Sequence, residues 1–422
     1  MTDHTSRNEG SRGRWLILLM LILAYILNFL DRQIISILAV PIQKEFDLTD
    51  TQLGLLGGIA FGAVYSILTL PAAWLADRYS KSAIMTAALV VWSGFTAFCG
   101  LATNFITLFV ARMGVGVGEA GGVAPAYSLI SDLFPPPHKR ARALAFFSCG
   151  IPIGAAAGVL FGGYLAKAVD WRFAFISIGL AGVLFAPLFK FVVRDPVRPQ
   201  SYSHDTTPGL WAVFRLLANK PSFWLLSCGA GFASLVGYGL IFWLPSFLIR
   251  SVGLELFEAS KLLAGIIFFG GICGMVLGGV LADWLGQKSR AFYAVIPAIA
   301  LVLSIPIYVL GTLSSSVPAL FWLFVVPQAL GLMWLGPILT AVQHLGPKIA
   351  RSQVSALYLL VNNLIGLGLG PLFFGKVSDL LKQEYGNDSL KYAFIAGLGF
   401  YLLSAGLLVL AARRMKSDWV DD

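Results

Sequence analysis

The stretch RMGVGVGEAGG, Arg112–Gly122, decides how this chain is read. Within it GVGEAG matches G-x-G-x-x-G, the glycine fingerprint of dinucleotide sites. That fingerprint has chemical meaning only where a strand turns into a helix within a βαβ unit. Here the flanks FITLFVA and VAPAYSLI continue an apolar run on both sides, and nothing strand-like precedes the glycines. A nucleotide site is therefore excluded. What remains is a helix that carries an arginine and a glutamate into apolar surroundings.

The rest of the chain explains those surroundings. Of its 422 residues 58% are hydrophobic and 12% charged, and the mean hydropathy is +0.81. A soluble domain averages roughly 25% charged residues, so the main solvent of this chain is lipid. A crossing helix needs about 20 mostly apolar residues. Twelve such stretches are readable, the first over 15–40 and the fourth over 105–130, and they leave no room for a soluble catalytic domain. The first is too long for a signal-peptide core and lacks a cleavage site, so it is read as retained. The expected fold is an all-α membrane protein of twelve transmembrane helices. Cys99, Cys149, Cys228 and Cys273 all fall inside spans without metal-ligand spacing and read as small apolar fillers.

The net charge of +9 does not point to nucleic acid, because its distribution is one-sided. Twenty of the 30 Lys and Arg lie in the tails and in the connections after even-numbered spans. Eight lie in the connections after odd-numbered spans, and Arg32 and Arg112 lie within spans. That skew is the positive-inside pattern, and it places both termini in the cytoplasm. For a bacterial-type cell this means a multi-pass protein of the inner membrane. PPPHKRAR, 135–142, is a topology signal by the same argument.

The Pro-, Ser- and Thr-rich connection 194–222 separates six spans (1–193) from six (223–422). Its WAVFRLL, 211–217, suits a short amphipathic helix on the membrane surface. After its second span each half carries a related loop, AAWLADRYSKS (72–82) and GGVLADWLGQKSR (278–290). The shared L-A-D with basic residues behind it marks an internal repeat of like orientation, an arrangement found in transporters built from parallel repeats.

These loops resemble the signature loop of the major facilitator superfamily. The arginine of the fourth span with G-x-G-E-A, and CGIPIGAAAGVLFGG (149–163), resemble other motifs of its N-terminal half. NFLDR (28–32), GLL (54–56), ADRYSK (76–81), RMGVGVGEAG (112–121) and SDLF (131–134) are similar to the spinster branch. The resemblance implies two pseudo-symmetric six-helix bundles that rock about a central site. It implies lysolipid or sphingoid-type substrates and proton coupling through carboxylates such as Asp31 and Glu119. The loops depart from the pattern at Ala73, Ser80, Ser82 and Trp284. Asp77, Arg78 and Asp283 remain as candidate latch residues, with simple helix capping as the plainer role for the aspartates.

Four charges lie well inside predicted spans: Asp31, Arg32, Arg112 and Glu119. Each costs at least ~2.5–3.5 kcal/mol near the bilayer centre, and such residues persist where they pair, face water or exchange protons. With the fourth span starting near Phe105, Arg112 lies about 10 Å and Glu119 about 21 Å below its outer end. If the first span ends near Val40, Asp31 lies about 13 Å below the same surface, between them in depth. Arg112 and Glu119, seven apart, share a helix face, while Gly114, Gly118 and Gly122 pack the opposite one. The expectation is that Glu119 carries the proton, Asp31 relays it, and Arg112 alternates between these acids and a substrate anion. A static ion pair locking the first and fourth helices is the plainer alternative. Arg32 either pairs near Asp31 or contacts an anion.

The second half offers neutral groups for substrate contact: Tyr238, Phe232, Gln328, Trp334 and Asn362. A cavity charged on one wall and apolar on the other suits an amphipathic substrate with an ionic head. An exporter of hydrophobic drugs and a carrier of small organic anions are the alternatives within the fold. A lipid-modifying enzyme is disfavoured, since no G-x-S-x-G elbow or HExxH set is present. No cofactor, metal or nucleic-acid partner is read, and a monomer is expected. Pro152, Pro245 and Pro337 are candidate kinks.

Overall fold

The protein is described by a computed structural model over residues 3–134, 136–195 and 210–420, and among these residues helices alternate with short turns and no strand occurs. Eleven tracts are long and apolar enough to cross a membrane. The last of them, Gln353–Met415, holds two crossings, parted by a short turn at Gly386–Asp388. Gly386 takes φ 54° there, a left-handed conformation that glycine adopts without a steric cost. The chain thus has the twelve crossings expected of it.

Two spans differ from the sequence reading in ways that bear on the site. The first helix runs through Pro41 to Phe46, six residues beyond Val40, and stops where Asp47 turns left-handed. The fourth span is broken. Phe105–Glu119, started by an Asn104–Thr107 capping box, ends at Glu119, and Val123–Leu133 follows after a turn at Ala120–Gly122. The GVGEAG run lies within this helix and its terminal turn, with no strand before it.

Compactness divides the chain into one unit of 1–38 with 67–200 and another of 39–66 with 201–422. In lipid no hydrophobic force holds helices together, so small residues that let backbones approach must do so. In the first unit Gly150, Gly154, Gly158 and Gly162 of the fifth span meet Tyr25, Ile26, Leu30 and Ile34 of the first. Gly114 and Gly118 of the fourth span meet Phe95 and Trp92 of the third. In the second unit Gly54, Gly58 and Gly62 of the second span lie on Pro371, Gly368 and Leu367 of the eleventh. There the eleventh span opens into a single π turn, Leu364–Gly368, between the helices Arg351–Asn363 and Leu369–Tyr385.

Of the connection 194–222, residues 196–209 lie outside the described residues. Leu210–Ala218 forms the two-faced helix its pattern implies, burying Val213 and Leu217 while Trp211 stays exposed. Of the kink candidates, Pro152 and Pro337 each sit in the first turn after a helix break, whereas Pro245 lies inside the unbroken Pro221–Arg250. Cys99 is buried, but Cys149 and Cys273 are exposed on helix surfaces, so the filler reading does not hold for these two.

Candidate functional site

The longer first helix changes the depth argument. Counted from Phe46, Asp31 and Arg32 lie about 22 and 21 Å from the helix end, and Glu119 lies about 21 Å from Phe105. Asp31 is therefore level with Glu119 rather than between it and Arg112. The neighbour at that level is Arg32, whose Nε donates to Glu119 Oε2 at 2.6 Å. Glu119 also ends its helix, where the dipole disfavours an anion, and the guanidinium offsets this. The guanidinium carbon in turn lies 4.9 Å from the Phe29 ring centroid.

Around this pair the other predicted groups assemble. Asp31 and Arg112 are buried, at 2% and 1% exposure, and Glu119 is at 0%. Asp31 stands within electrostatic reach of both Glu119 and Arg112, with Thr96 beside it. Arg112 feels Glu119 and Asp31 as attracting charges and Arg32 as a repelling one. Asn28, buried and one helical turn before Arg32, neighbours Glu119. It also lines a narrow crevice with Tyr25, Trp92, Gly122, Ala126 and Phe147. Asp31 Oδ1 and Glu119 Oε1 make no hydrogen bond among the described residues. A buried carboxylate oxygen left so carries a desolvation penalty.

The neutral residues of the second half fall into separate neighbourhoods. Asn362, two residues before the π segment, is buried and accepts from Ser234 Oγ at 2.9 Å. Tyr238, half-buried, lies within electrostatic reach of Tyr358. Gln328 Oε1 accepts from Tyr308 Oη at 3.2 Å, and Phe232 stacks on Phe400 at 5.5 Å. Trp334 is buried at the break of the tenth span, before Leu335–Gln343. Asn362 and Tyr238 stay within one seventh–eleventh helix pair, while Gln328 faces the ninth span.

Of the latch candidates, Arg78 is exposed, with its guanidinium 4.0 Å from the Trp74 ring, and Asp283 is exposed. The Asp77 side chain lies outside the described residues. The loop's departures do have partners. Ser80 Oγ donates to Asp195, as does Ser82 N–H at 3.0 Å, and Ser82 Oγ donates to the Val193 carbonyl at 2.5 Å. Lys81 reaches Asp132 of the SDLF motif at 2.5 Å.

Sequence reasoning missed a second buried charge cluster. Asp50, 0% exposed, accepts from Arg250 Nη1 at 2.8 and 3.0 Å, Gln43 Nε2 at 2.7 Å and Ser378 Oγ at 2.6 Å. Asp379 caps the same helix start, accepting from Asp50 N–H at 3.0 Å, Thr51 N–H at 2.7 Å and Thr51 Oγ1 at 2.6 Å. Both aspartates sit at span ends, where acids look ordinary, and apart from Gln43 the partners are 200 or more residues away. The capping box of Thr49 and Gln52 was the only local signal.

This architecture of membrane-crossing helices with buried ionic groups inside spans matches a class of membrane transporters. The family model of the Major Facilitator Superfamily matches residues 21–371, and the chain belongs to that superfamily. A crystal structure of a bacterial homologue of the human lysosomal transporter Spinster, inward-facing and unoccupied, superposes with a TM-score of 0.88 at 30% identity. It covers 97% of this chain and 99% of that one. An MFS-type efflux pump of Mycolicibacterium smegmatis is 32% identical over the whole chain and 97% of its own length. Protein spinster homolog 1 of Bos taurus is 29% identical over 87% of this chain and 74% of its own. A hexuronate transporter of Bacillus subtilis is 30% identical over 66% and 67%. The chain is a multi-pass transporter of spinster type, and not an enzyme.

Proposed function

We propose that this transporter couples proton movement to the passage of an amphipathic, lipid-like substrate with a charged head, of lysolipid or sphingoid type, by alternating access. One observation supports the reading: two buried carboxylates, Asp31 and Glu119, share a site with Arg32 and Arg112, and each keeps an oxygen with no hydrogen bond among the described residues. A purely structural ion pair favours full satisfaction of its lone pairs, because leaving them bare in a low-dielectric interior is costly. A site that takes up and gives back a proton needs an acceptor atom left open. Glu119 carries the proton, Asp31 relays it, and the crevice at Asn28 supports a route to it. Arg32 is the partner that Glu119 pairs with when it has given up its proton. Arg112, buried within electrostatic reach of both acids, is the cation that meets an anionic head.

Both termini face the cytoplasm in this reading, and one chain holds a complete site, so a monomer suffices. Asp77, Arg78 and Asp283 steady the cytoplasmic ends, and Asn362, Tyr238, Phe232, Gln328 and Trp334 line the substrate path. The relatives described as an efflux pump and as a hexuronate transporter support a second reading, extrusion of hydrophobic compounds or carriage of a small organic anion. Reconstitution in liposomes with an imposed pH gradient tests both. Lysolipid movement driven by the gradient is expected. Movement of a sugar acid or dye alone, with lysolipid unmoved, overturns the lipid assignment, and flux blind to the gradient overturns proton coupling.

A further inference from the structure

The segment after the twelfth span does not simply trail off. Trp419 lies flat on the His344 ring, centroids 4.7 Å apart and planes within 6°. Tyr293 stacks on it at 6.0 Å and the Arg290 guanidinium stands 5.0 Å from its ring. The backbone is fastened as well. Val420 N–H donates to the His344 carbonyl at 2.8 Å, and the Asp418 carbonyl accepts from Lys220 Nζ at 2.7 Å. The Asp418 carboxylate accepts from Ser222 N–H at 3.1 Å, in the first turn of Pro221–Arg250, where an anion is favoured by the helix dipole. Three residues therefore tie together the starts of the seventh and ninth spans and the end of the tenth, all in the second unit.

We infer that the end of the second unit formed by Lys220, Arg290, Tyr293, His344 and Arg351 is a docking site for the chain's own Asp418–Val420 segment, and that protonation of His344 releases it. The transport reading has no use for these residues. The site's chemistry is a cationic rim around an aromatic slot, suited to an indole next to an acid. The proton sensitivity comes from Arg351, whose Nη2 stands 3.2 Å from His344 Nδ1. A guanidinium has only donors, so this contact requires Nδ1 to be an acceptor and the ring to be neutral. Around the ring stand Arg351 from the eleventh span and Arg290 across the indole. Tyr293 is the other titratable group on the indole, and the acid Asp418 is engaged by Lys220 and Ser222. A protonated ring loses its acceptor and adds a positive charge to this rim. Stacking of a cation on the indole is favourable in itself, but Arg290 already occupies that role and the added charge is repelled from two sides.

The sign follows. Docking holds His344 neutral and so lowers its proton affinity relative to the released state. Docking is strongest above the ordinary imidazole value of about 6.5 and weakens as the pH falls through it. On the orientation proposed above this face is cytoplasmic, so a strap across three span ends would loosen as the cytoplasm acidifies.

The test is a spin label at Val420→Cys in the full-length chain with its four native cysteines replaced; the substitution keeps the backbone N–H that bonds His344. At about pH 8 the label is expected to be immobilised and at about pH 5.5 freely tumbling. Trp419→Ala should free it at both values. His344→Gln, which keeps an oxygen for Arg351 but cannot be protonated, should hold it at both. A label that stays immobile in Trp419→Ala overturns the docking site, and a pH response that survives in His344→Gln overturns the switch. The readout does not involve transport, so failure of the substrate assignment leaves it unaffected.

Discussion

Arg32 and Glu119 come from different spans, 87 positions apart, yet join Nε to Oε2 at 2.6 Å where both side chains are almost wholly buried. Removing one member leaves an uncompensated charge, which costs about 3–5 kcal/mol in a buried pair. Arg32→Ala should therefore lower the melting temperature sharply, and adding Glu119→Gln should recover most of the loss. Equal melting of the single and double variants would show that the pair does not couple the two helices.

Glu119→Gln alone keeps the volume and an oxygen for Arg32 but cannot carry a proton. Gradient-driven accumulation should fall to background while substrate exchange at equal pH on both sides persists. Retention of the wild-type driven rate would assign Glu119 a purely structural role.

Asp31→Asn should leave a working carrier with fewer protons moved per substrate. The measurement is the opposing substrate gradient needed to halt flux at a fixed pH difference. An unchanged balance point would remove Asp31 from the relay.

The Asp50 cluster predicts a conformational effect. Asp50→Ala removes the carboxylate that faces Arg250, leaving it Gln43 Oε1 alone as a hydrogen-bond acceptor among the described residues, and takes an acceptor from Gln43 and Ser378. We expect a stability loss of about 3 kcal/mol and greater labelling of a cysteine placed at Thr51, read by reaction with a membrane-impermeant thiol reagent. Unaltered labelling would leave Asp50 as a fold determinant only.

A fifth expectation concerns Gly58, where a Cβ would come within 2.5 Å of the Gly368 carbonyl oxygen, a backbone atom that cannot swing aside. Gly58→Leu should push the second span off the eleventh and cut thermal stability well below that of Gly13→Leu, a position with open space.

Much of this molecule was legible before its structure. Lipid as solvent follows from composition, and the superfamily was readable in the two L-A-D loops. The four intramembrane charges stand out because nothing else nearby is charged. What escaped depended on where helices stop. The sequence reading ends the first span near Val40, but proline is tolerated within a membrane helix, and the residues from Pro41 to Phe46 bring Arg32 level with Glu119. Arg250 and Asp50 carry no sequence signal of each other across 200 positions. Nor does LIGLGLG announce a π turn, since glycines here also serve plain packing. The serines of the first loop looked like losses from a motif until Asp195 was found opposite them.

The π turn has one more consequence. A widened turn takes in roughly one residue more than an α turn, which winds everything beyond it back by about 100°. Asn362 lies before Leu364–Gly368, and Ser378 and Asp379 lie after it. This single irregularity sets the phase between the amide that faces Ser234 and the groups that grip Asp50. Deleting one residue from Leu364–Gly368 would straighten the helix and turn one of those two sets away from its partner, so the eleventh span works as a camshaft whose timing is fixed by five residues.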